Sequence, residues 1–222
     1  PDVWSVISGE QQYFPKRSGQ PATGAAVVGI PGVGKSEAII RIFCTYPQII
    51  THETFPKMAG SHLQVVWQSV DVPASGRAQD LAATLMRAWD KATGHDRFSA
   101  TLQRERRDGM KMLEEWRQVA VSHFLGILHL DEVQNFFKLS TLEARKKRKS
   151  KSAGIELSIV EDQCLKWILN LMNTWNIPLL VSGTPDGIAA LTQRLSNLQR
   201  FASTGFHRFD PFESADCDGF RK

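Results

Sequence analysis

The sequence predicts an α/β fold built on a parallel sheet of five strands. Three observations predict it. Short apolar runs alternate along the chain with longer amphipathic stretches. A glycine-rich turn joins the first apolar run to the first amphipathic one, and an Asp-Glu pair closes the third run. Strands alternating with helices run parallel through right-handed crossovers, and their ligands bind at the C-terminal strand ends. The 222 residues suit one domain of ordinary size, and 42% hydrophobic content is enough for a core.

The elements follow in order. A short helix is expected near Val3–Ile7, then a polar Pro/Gly/Ser stretch to residue 24. Ala25-Ala26-Val27-Val28 reads as a buried first strand, with two β-branched residues. Glu37 to Cys44 carries Ile39, Ile40, Ile42 and Phe43 at helical spacing until Tyr46-Pro47 breaks it. Leu63–Asp71 reads as the second strand. Ser75-Gly76 introduces a helix whose Leu81, Leu85 and Trp89 share one face, and Gly94 stops it. A second helix is expected from Thr101 to His123, burying Met110, Leu113, Trp116 or Arg117, and Ala120. Phe124–Leu130 is the third strand. A loop after Phe136-Phe137 leads to a helix from Ile159 to Trp175, with Cys164, Ile168, Leu171 and Trp175 in step. Pro178–Ser182 is the fourth strand, ending in Gly183-Thr184-Pro185. Asp186 is the expected cap of a helix reaching Leu195, and Phe206–Phe209 is the fifth strand. No internal repeat is visible.

Gly29-Ile30-Pro31-Gly32-Val33-Gly34-Lys35-Ser36 fits G-x-x-x-x-G-K-[ST], the phosphate-binding loop of P-loop nucleoside triphosphatases. The glycines let successive N–H groups point at one anion. Lys35 would set its ammonium against the β- and γ-phosphates, and Ser36 would offer its hydroxyl to Mg²⁺. The competing reading is a glycine-rich turn that happens to end in Lys-Ser. The strand before it and the helix N-terminus after it, with its positive dipole end, weigh against that reading. Gly29, Pro31, Gly32, Val33, Gly34, Lys35, Ser36 and Glu37 are the expected nucleotide-binding residues.

Asp131-Glu132 follows a hydrophobic strand. Asp131 would join Ser36 in holding Mg²⁺, and Glu132 would orient and polarise an attacking water. That doublet suits hydrolysis of ATP; the competing reading is two solvated acids at a strand end. Thr184 sits where a hydroxyl could touch the γ-phosphate or the water, or it is simply a turn residue. Phosphoryl transfer also gains from an arginine that meets charge on the γ-phosphate. Arg194, Arg200 and Arg208 are available, although each alone is more often a surface ion-pair partner. No guanine-recognition Asn-Lys-x-Asp sequence occurs, which favours ATP.

The remaining composition narrows the setting. Cys44, Cys164 and Cys217 are odd in number and far apart, as expected of a reduced cytosolic protein without a disulfide framework. The six histidines lack metal-ligand spacing, and His123 and His129 read as structural. No apolar run reaches 18 residues and no secretory signal is visible. The chain opens on Pro1 rather than Met and stops soon after the fifth strand, as a fragment would. Residues 145–151 hold six positive charges; removing them from the net +4 leaves −2. The pI of 9.1 is therefore a local feature.

Taken together, these residues resemble the AAA+ ATPases, and among them the transposition regulator TnsC and its relative TniB. The likeness covers most of residues 25–212. It runs through the phosphate loop, Thr45-Tyr46-Pro47-Gln48, His123 to Gln134 and Ile177 to Pro185. It implies a three-layer α-β-α P-loop domain over residues 25–212, preceded by an N-terminal segment (1–24). Residues 213–222 would be the start of a lid or a C-terminal tail. It implies Lys35 and Ser36 as Walker A, Asp131 and Glu132 as Walker B, and Thr184 as sensor 1. Arg200, or failing it Arg194, would be the arginine finger acting on ATP in the neighbouring subunit. The implied cofactors are ATP and Mg²⁺. The implied partners are duplex DNA, further copies in a ring or helical filament, transposase subunits and a TniQ/TnsD-like target selector, in a bacterial cytoplasm. Two departures stand out. The helical lid is missing, so no sensor-2 arginine can be assigned, and the basic run at 145–151 has no counterpart in the family pattern.

Two basic groups are candidate DNA contacts. Arg104, Arg106, Arg107 and Lys111 lie on or near the helix after the second strand. Lys146, Lys147, Arg148 and Lys149 belong to the basic loop, which would neutralise phosphates without reading sequence. Three other readings stay open: a helicase loader or replication initiator, a signalling NTPase that does not bind DNA, and a nucleotide-bound scaffold with little hydrolysis. Duplex-stimulated ATPase activity separates the signalling class from the DNA-binding ones.

Overall fold

The computed structural model describes residues 23–54, 60–104, 108–137, 159–194 and 205–211. The helix near Val3–Ile7, the basic loop, Arg106, Arg107, Arg200 and Cys217 lie outside the described residues.

Among the described residues, seven strands form two sheets. They are β1 (Gly24–Val28), β2 (Ile49–His52), β3 (His62–Val65), β4 (Trp67–Asp71), β5 (Ile127–Asp131), β6 (Leu179–Gly183) and β7 (Phe206–Arg208). The main sheet is parallel throughout, in the order β4-β5-β6-β1-β7. The helices are α1 (Lys35–Phe43), α2 (Ala78–Thr93), α3 (Ser99–Leu102), α4 (Gly109–Ser122), α5 (Ile159–Asn173) and α6 (Pro185–Arg194). A 3-10 segment, Val133–Phe137, follows β5.

Register decides what meets at the upper edge. Val28 pairs with Gly183, Leu130 with Val181, and Asp71 with Asp131. The ends of β1, β4, β5 and β6 therefore share one rim, from which the phosphate loop and Asp131-Glu132 emerge. Below the rim the strands are buried by helices, and α2, α4 and α5 meet through tryptophans. Trp116 packs edge-on to Trp89 at 6.3 Å and against Trp167 at 5.9 Å between ring centroids. All three are buried, and each contributes about 2–3 kcal/mol from removing its surface from water.

Several expected elements divide. Leu63–Asp71 is two strands, since Val66 leaves the ladder and bonds Gln48 O at 2.8 Å. The first half pairs antiparallel with β2, outside the main sheet. The expected Thr101–His123 helix is α3 and α4, separated at Asp108. That carboxylate caps α4, accepting from Met110 N at 3.0 Å and Lys111 N at 3.2 Å. Arg104 accordingly lies beyond the end of α3 rather than on a helix, while Lys111 is in the first turn of α4. Both Trp116 and Arg117 are buried, where only one of the two was expected. The third strand begins at Ile127, because Phe124 takes a left-handed φ of 48°. Trp175 falls past the end of α5 and is 40% exposed. Among the described residues no helix is long and apolar enough to cross a membrane.

Candidate functional site

The turn from β1 to α1 forms the floor of the site. Gly32 and Gly34 have φ of 80° and 91°, a region closed to most side chains. Gly34 is the N-cap of α1, so the free N–H groups of that helix open directly onto the turn. Lys35, only 6% exposed, folds across the loop and donates from Nζ to Ile30 O at 2.9 Å. Pro31 is exposed and Val33 half-buried. Glu37 faces away, ion-paired to Arg41 at 2.7 Å on the exposed side of α1.

Ser36, next along, donates its hydroxyl to Oδ2 of Asp131, a partner 95 residues away. Oδ1 of the same carboxylate accepts from the Ser182 hydroxyl and, at 2.8 Å, from the Glu132 backbone N–H. Asp131 is buried. Burial pushes its carboxyl up, but the hydrogen bonds from Ser182, Ser36 and the Glu132 amide, with His129 alongside, outweigh it. The group is held below the usual carboxylate range and is ionised at neutral pH.

Sequence reasoning missed the support behind Asp131. His129 lies on the same face of β5, two residues earlier. Its Nε2 is 2.8 Å from Ser182 Oγ and its Nδ1 is 2.8 Å from Ser69 Oγ. The donors can be worked out. Ser182 spends its proton on Asp131, so it accepts from His129 Nε2–H. Nδ1 then lacks a proton and accepts from the Ser69 hydroxyl. A neutral histidine fits this chain, and burial lowers the His129 pKa to about 4, against a smaller upward pull from Asp131. The available signal was a polar residue inside each of three strands: Ser69, beside Gln68, then His129 and Ser182. His123 is held elsewhere, its Nδ1 2.7 Å from Leu63 O at the opposite end of β5.

Glu132 follows with φ 56° and an exposed side chain. Its Oε2 accepts from the Gln134 amide. Thr184, at the end of β6, donates its backbone N–H to Gln134 Oε1 at 3.2 Å. The Thr184 hydroxyl accepts from Gly187 N at 3.3 Å, so Thr184 caps α6. Asp186, the expected cap, instead sits within the first turn of α6. Arg194 is the last residue of α6, with its side chain outside the described residues. Arg208 is exposed on β7 and pairs with Asp210 at 2.6 Å. Arg104 and Lys111 are exposed.

The donor set fits Mg²⁺ bound with a nucleotide. That ion takes one or two carboxylates together with phosphate oxygens and waters, not a cage of protein ligands. Ser36 and Asp131 supply two adjoining oxygens beside an anion-binding helix end. Among the described residues no group of three or more His, Cys, Asp or Glu side chains could hold a metal.

Comparison with known proteins agrees with this geometry. A family model described as an AAA domain matches residues 19–191, more than half of the chain. No curated protein matches it. With its parallel sheet, phosphate loop and acidic strand end, the chain belongs to the AAA domain family, P-loop ATPases of the AAA+ class.

Proposed function

We propose that this chain is an ATP-dependent, DNA-binding regulator of DNA transposition, which hydrolyses ATP and links a target selector to a transposase. The observation that carries the ATPase part is the Ser36–Asp131 hydrogen bond, which joins the two halves of a nucleotide site across 95 residues. Bound Mg²⁺ would neutralise phosphate charge and orient the γ-phosphate. Lys35 would turn its ammonium to the β- and γ-phosphates, and the α1 N-terminus would hold their oxygens. Glu132 would take up a proton from the attacking water, and Thr184 would fix that water or the γ-phosphate. Arg200, or Arg194 in its place, would reach ATP on an adjoining copy, so that assembly completes the site.

Support for the DNA and transposition part comes from the sequence segments that resemble TnsC and TniB. The exposed Arg104 and Lys111 around the start of α4 add to it. Arg106, Arg107 and Lys146 to Lys149 would extend the phosphate contacts. A TniQ/TnsD-like selector and transposase subunits are the protein partners of this reading, and a ring or helical filament on duplex DNA is its assembly.

The test is anisotropy of a labelled random-sequence duplex titrated with protein, without nucleotide, with ADP, and with a non-hydrolysable ATP analogue, at two salt concentrations. Tight, cooperative, salt-sensitive binding with the ATP analogue alone is expected. Absence of binding in every state removes the DNA reading and leaves a signalling NTPase as the better account. Capture of a transposase subunit, rather than a helicase, separates transposition from helicase loading.

A further inference from the structure

We infer that Gln134 is a positioning residue for hydrolysis: its amide holds the Glu132 carboxylate in one orientation and ties it to the end of β6. The inference rests on the ATPase reading above.

Gln134 lies on the 3-10 segment, two residues beyond Glu132. The Thr184 backbone N–H can only donate, so the atom 3.2 Å from it is the amide oxygen. The amide nitrogen then faces Glu132 and donates to Oε2. Only a primary amide of this length meets both demands. An ionised glutamate could accept but not donate, and methionine could do neither.

The seat of Gln134 is closed on the side of Gly183 and Gly187. A Cβ on Gly187 would come within 2.5 Å of the Gln134 Cβ and 2.8 Å of its Cα. A Cβ on Gly183 would come within 2.8 Å of its Oε1. The side chain therefore lies directly against the β6–α6 junction, with no room for other rotamers on that side. Glu132, by contrast, is exposed and sits on left-handed backbone. Left alone, its carboxylate would sample many orientations. With Oε2 taken by the amide, Oε1 is the oxygen that meets the water, and its position moves with the Thr184 strand end.

The test compares wild type, Gln134→Met, Gln134→Glu, Glu132→Gln and Gln134→Met/Glu132→Gln. The readouts are steady-state kcat and KM for ATP, single-turnover rates, and the affinity of a fluorescent ADP analogue. Both Gln134 variants are expected to lose kcat by about tenfold or more while KM and ADP affinity stay within about twofold, since a misplaced reacting group costs rate, not binding. In the Glu132→Gln background the Gln134→Met change is expected to cost nothing further. Wild-type kcat in either Gln134 variant overturns the inference, and so does the same fold-loss in both backgrounds. A parallel fall in ADP affinity in both variants also overturns it, marking a merely structural role. If wild type does not hydrolyse ATP, or Glu132→Gln leaves the rate unchanged, the ATPase reading itself fails and takes the inference with it. If Glu132→Gln abolishes turnover and the Gln134 variants do not, the inference alone fails.

Discussion

Nε2 of His129 stands 2.8 Å from Oγ of Ser182, and through that contact a histidine in mid-strand fixes the direction in which Ser182 donates to Asp131. At the other ring nitrogen, Nδ1 accepts from the Ser69 hydroxyl and so requires a neutral ring, which has a consequence for stability. Burial lowers the His129 pKa from 6.5 to about 4. A depressed pKa means that the folded state binds the proton less well than the unfolded chain. The contribution is then complete above pH 6.5 and is lost as the pH falls toward 4, by about 3 kcal/mol in all. His62 is also lowered, by burial and by His123 and His52, and contributes a loss of the same sign. The difference between wild type and His129→Gln therefore isolates the effect. Chemical denaturation from pH 7.5 to 4.5 should show the steeper fall in wild type; equal slopes would refute the assignment. Asp131, held low, adds its own loss only at still lower pH.

Asp71 ends β4 directly beside Asp131 in register. Its pKa is raised, first by burial and then by the Asp131 charge. For a raised carboxylate the sign is opposite. Its contribution is full below the unfolded pKa and is lost as the pH rises through the folded one. At neutral pH the charged Asp71 thus opposes folding, and Asp71→Asn should raise Tm. The side chain is exposed, so solvent screening limits the gain to a few tenths of a kcal/mol. Melting curves at pH 7 and pH 3.5 check this: the gain belongs to the first and should vanish in the second. A lower Tm for the variant at pH 7 would show that Asp71 makes a stabilising contact instead.

How far the site could be read in advance depended on how local each interaction is. The phosphate loop was legible because its eight residues carry their own geometry, down to the positive φ of Gly32 and Gly34. Asp131 was legible because an acidic pair after an apolar strand can only stand at the sheet rim. The Ser69–His129–Ser182 chain was not, since its partners are 60 and 53 residues apart and meet only through register. The same limit hid the break at Val66. Leu63–Asp71 is one unbroken strand-forming run in sequence, and only the pairing partner changes, from β2 to β5. Ile49-Ile50-Thr51, a β-branched triplet, was the overlooked sign of that extra strand. Asp108-Gly109 marked the division between α3 and α4 in the same way. Thr184 and Asp186 are both good cap residues, and Pro185, favoured at the first helical position, decides for Thr184, whose hydroxyl accepts from Gly187 N.

Arg117 bridges α4 to the chain beyond α5. It is 5% exposed, its Nε donates to Glu114 Oε2 at 2.7 Å, and its guanidinium carbon lies 3.3 Å from the Trp175 ring centroid. The Glu114 partner is half-exposed and can be rehydrated, so most of the value lies in the stack and the buried stem. Arg117→Lys keeps the charge but loses the planar fork and the stack, and should cost about 1–2 kcal/mol. Trp175→Ala should cost about 1 kcal/mol. The two should be non-additive in a double-mutant cycle followed by urea denaturation, and full additivity would show that the stack carries no energy.

Lys111 offers the most direct check on the DNA reading at the level of one charge. Its backbone N–H is tied to the Asp108 cap, so α4 should form whatever side chain stands at 111. Arg104 lies beyond the end of α3 and is equally exposed. Alanine at either position should therefore leave stability within about 0.5 kcal/mol. If each side chain neutralises one phosphate, each change should lower the slope of log Kd against log salt by about one, irrespective of DNA sequence. Anisotropy at four salt concentrations with the ATP analogue measures that slope. Unchanged slopes for both variants would move the DNA contact away from the start of α4. Reversing Lys111 with Lys111→Glu should roughly double the shift seen with alanine, because it replaces an attraction with a repulsion at the same point.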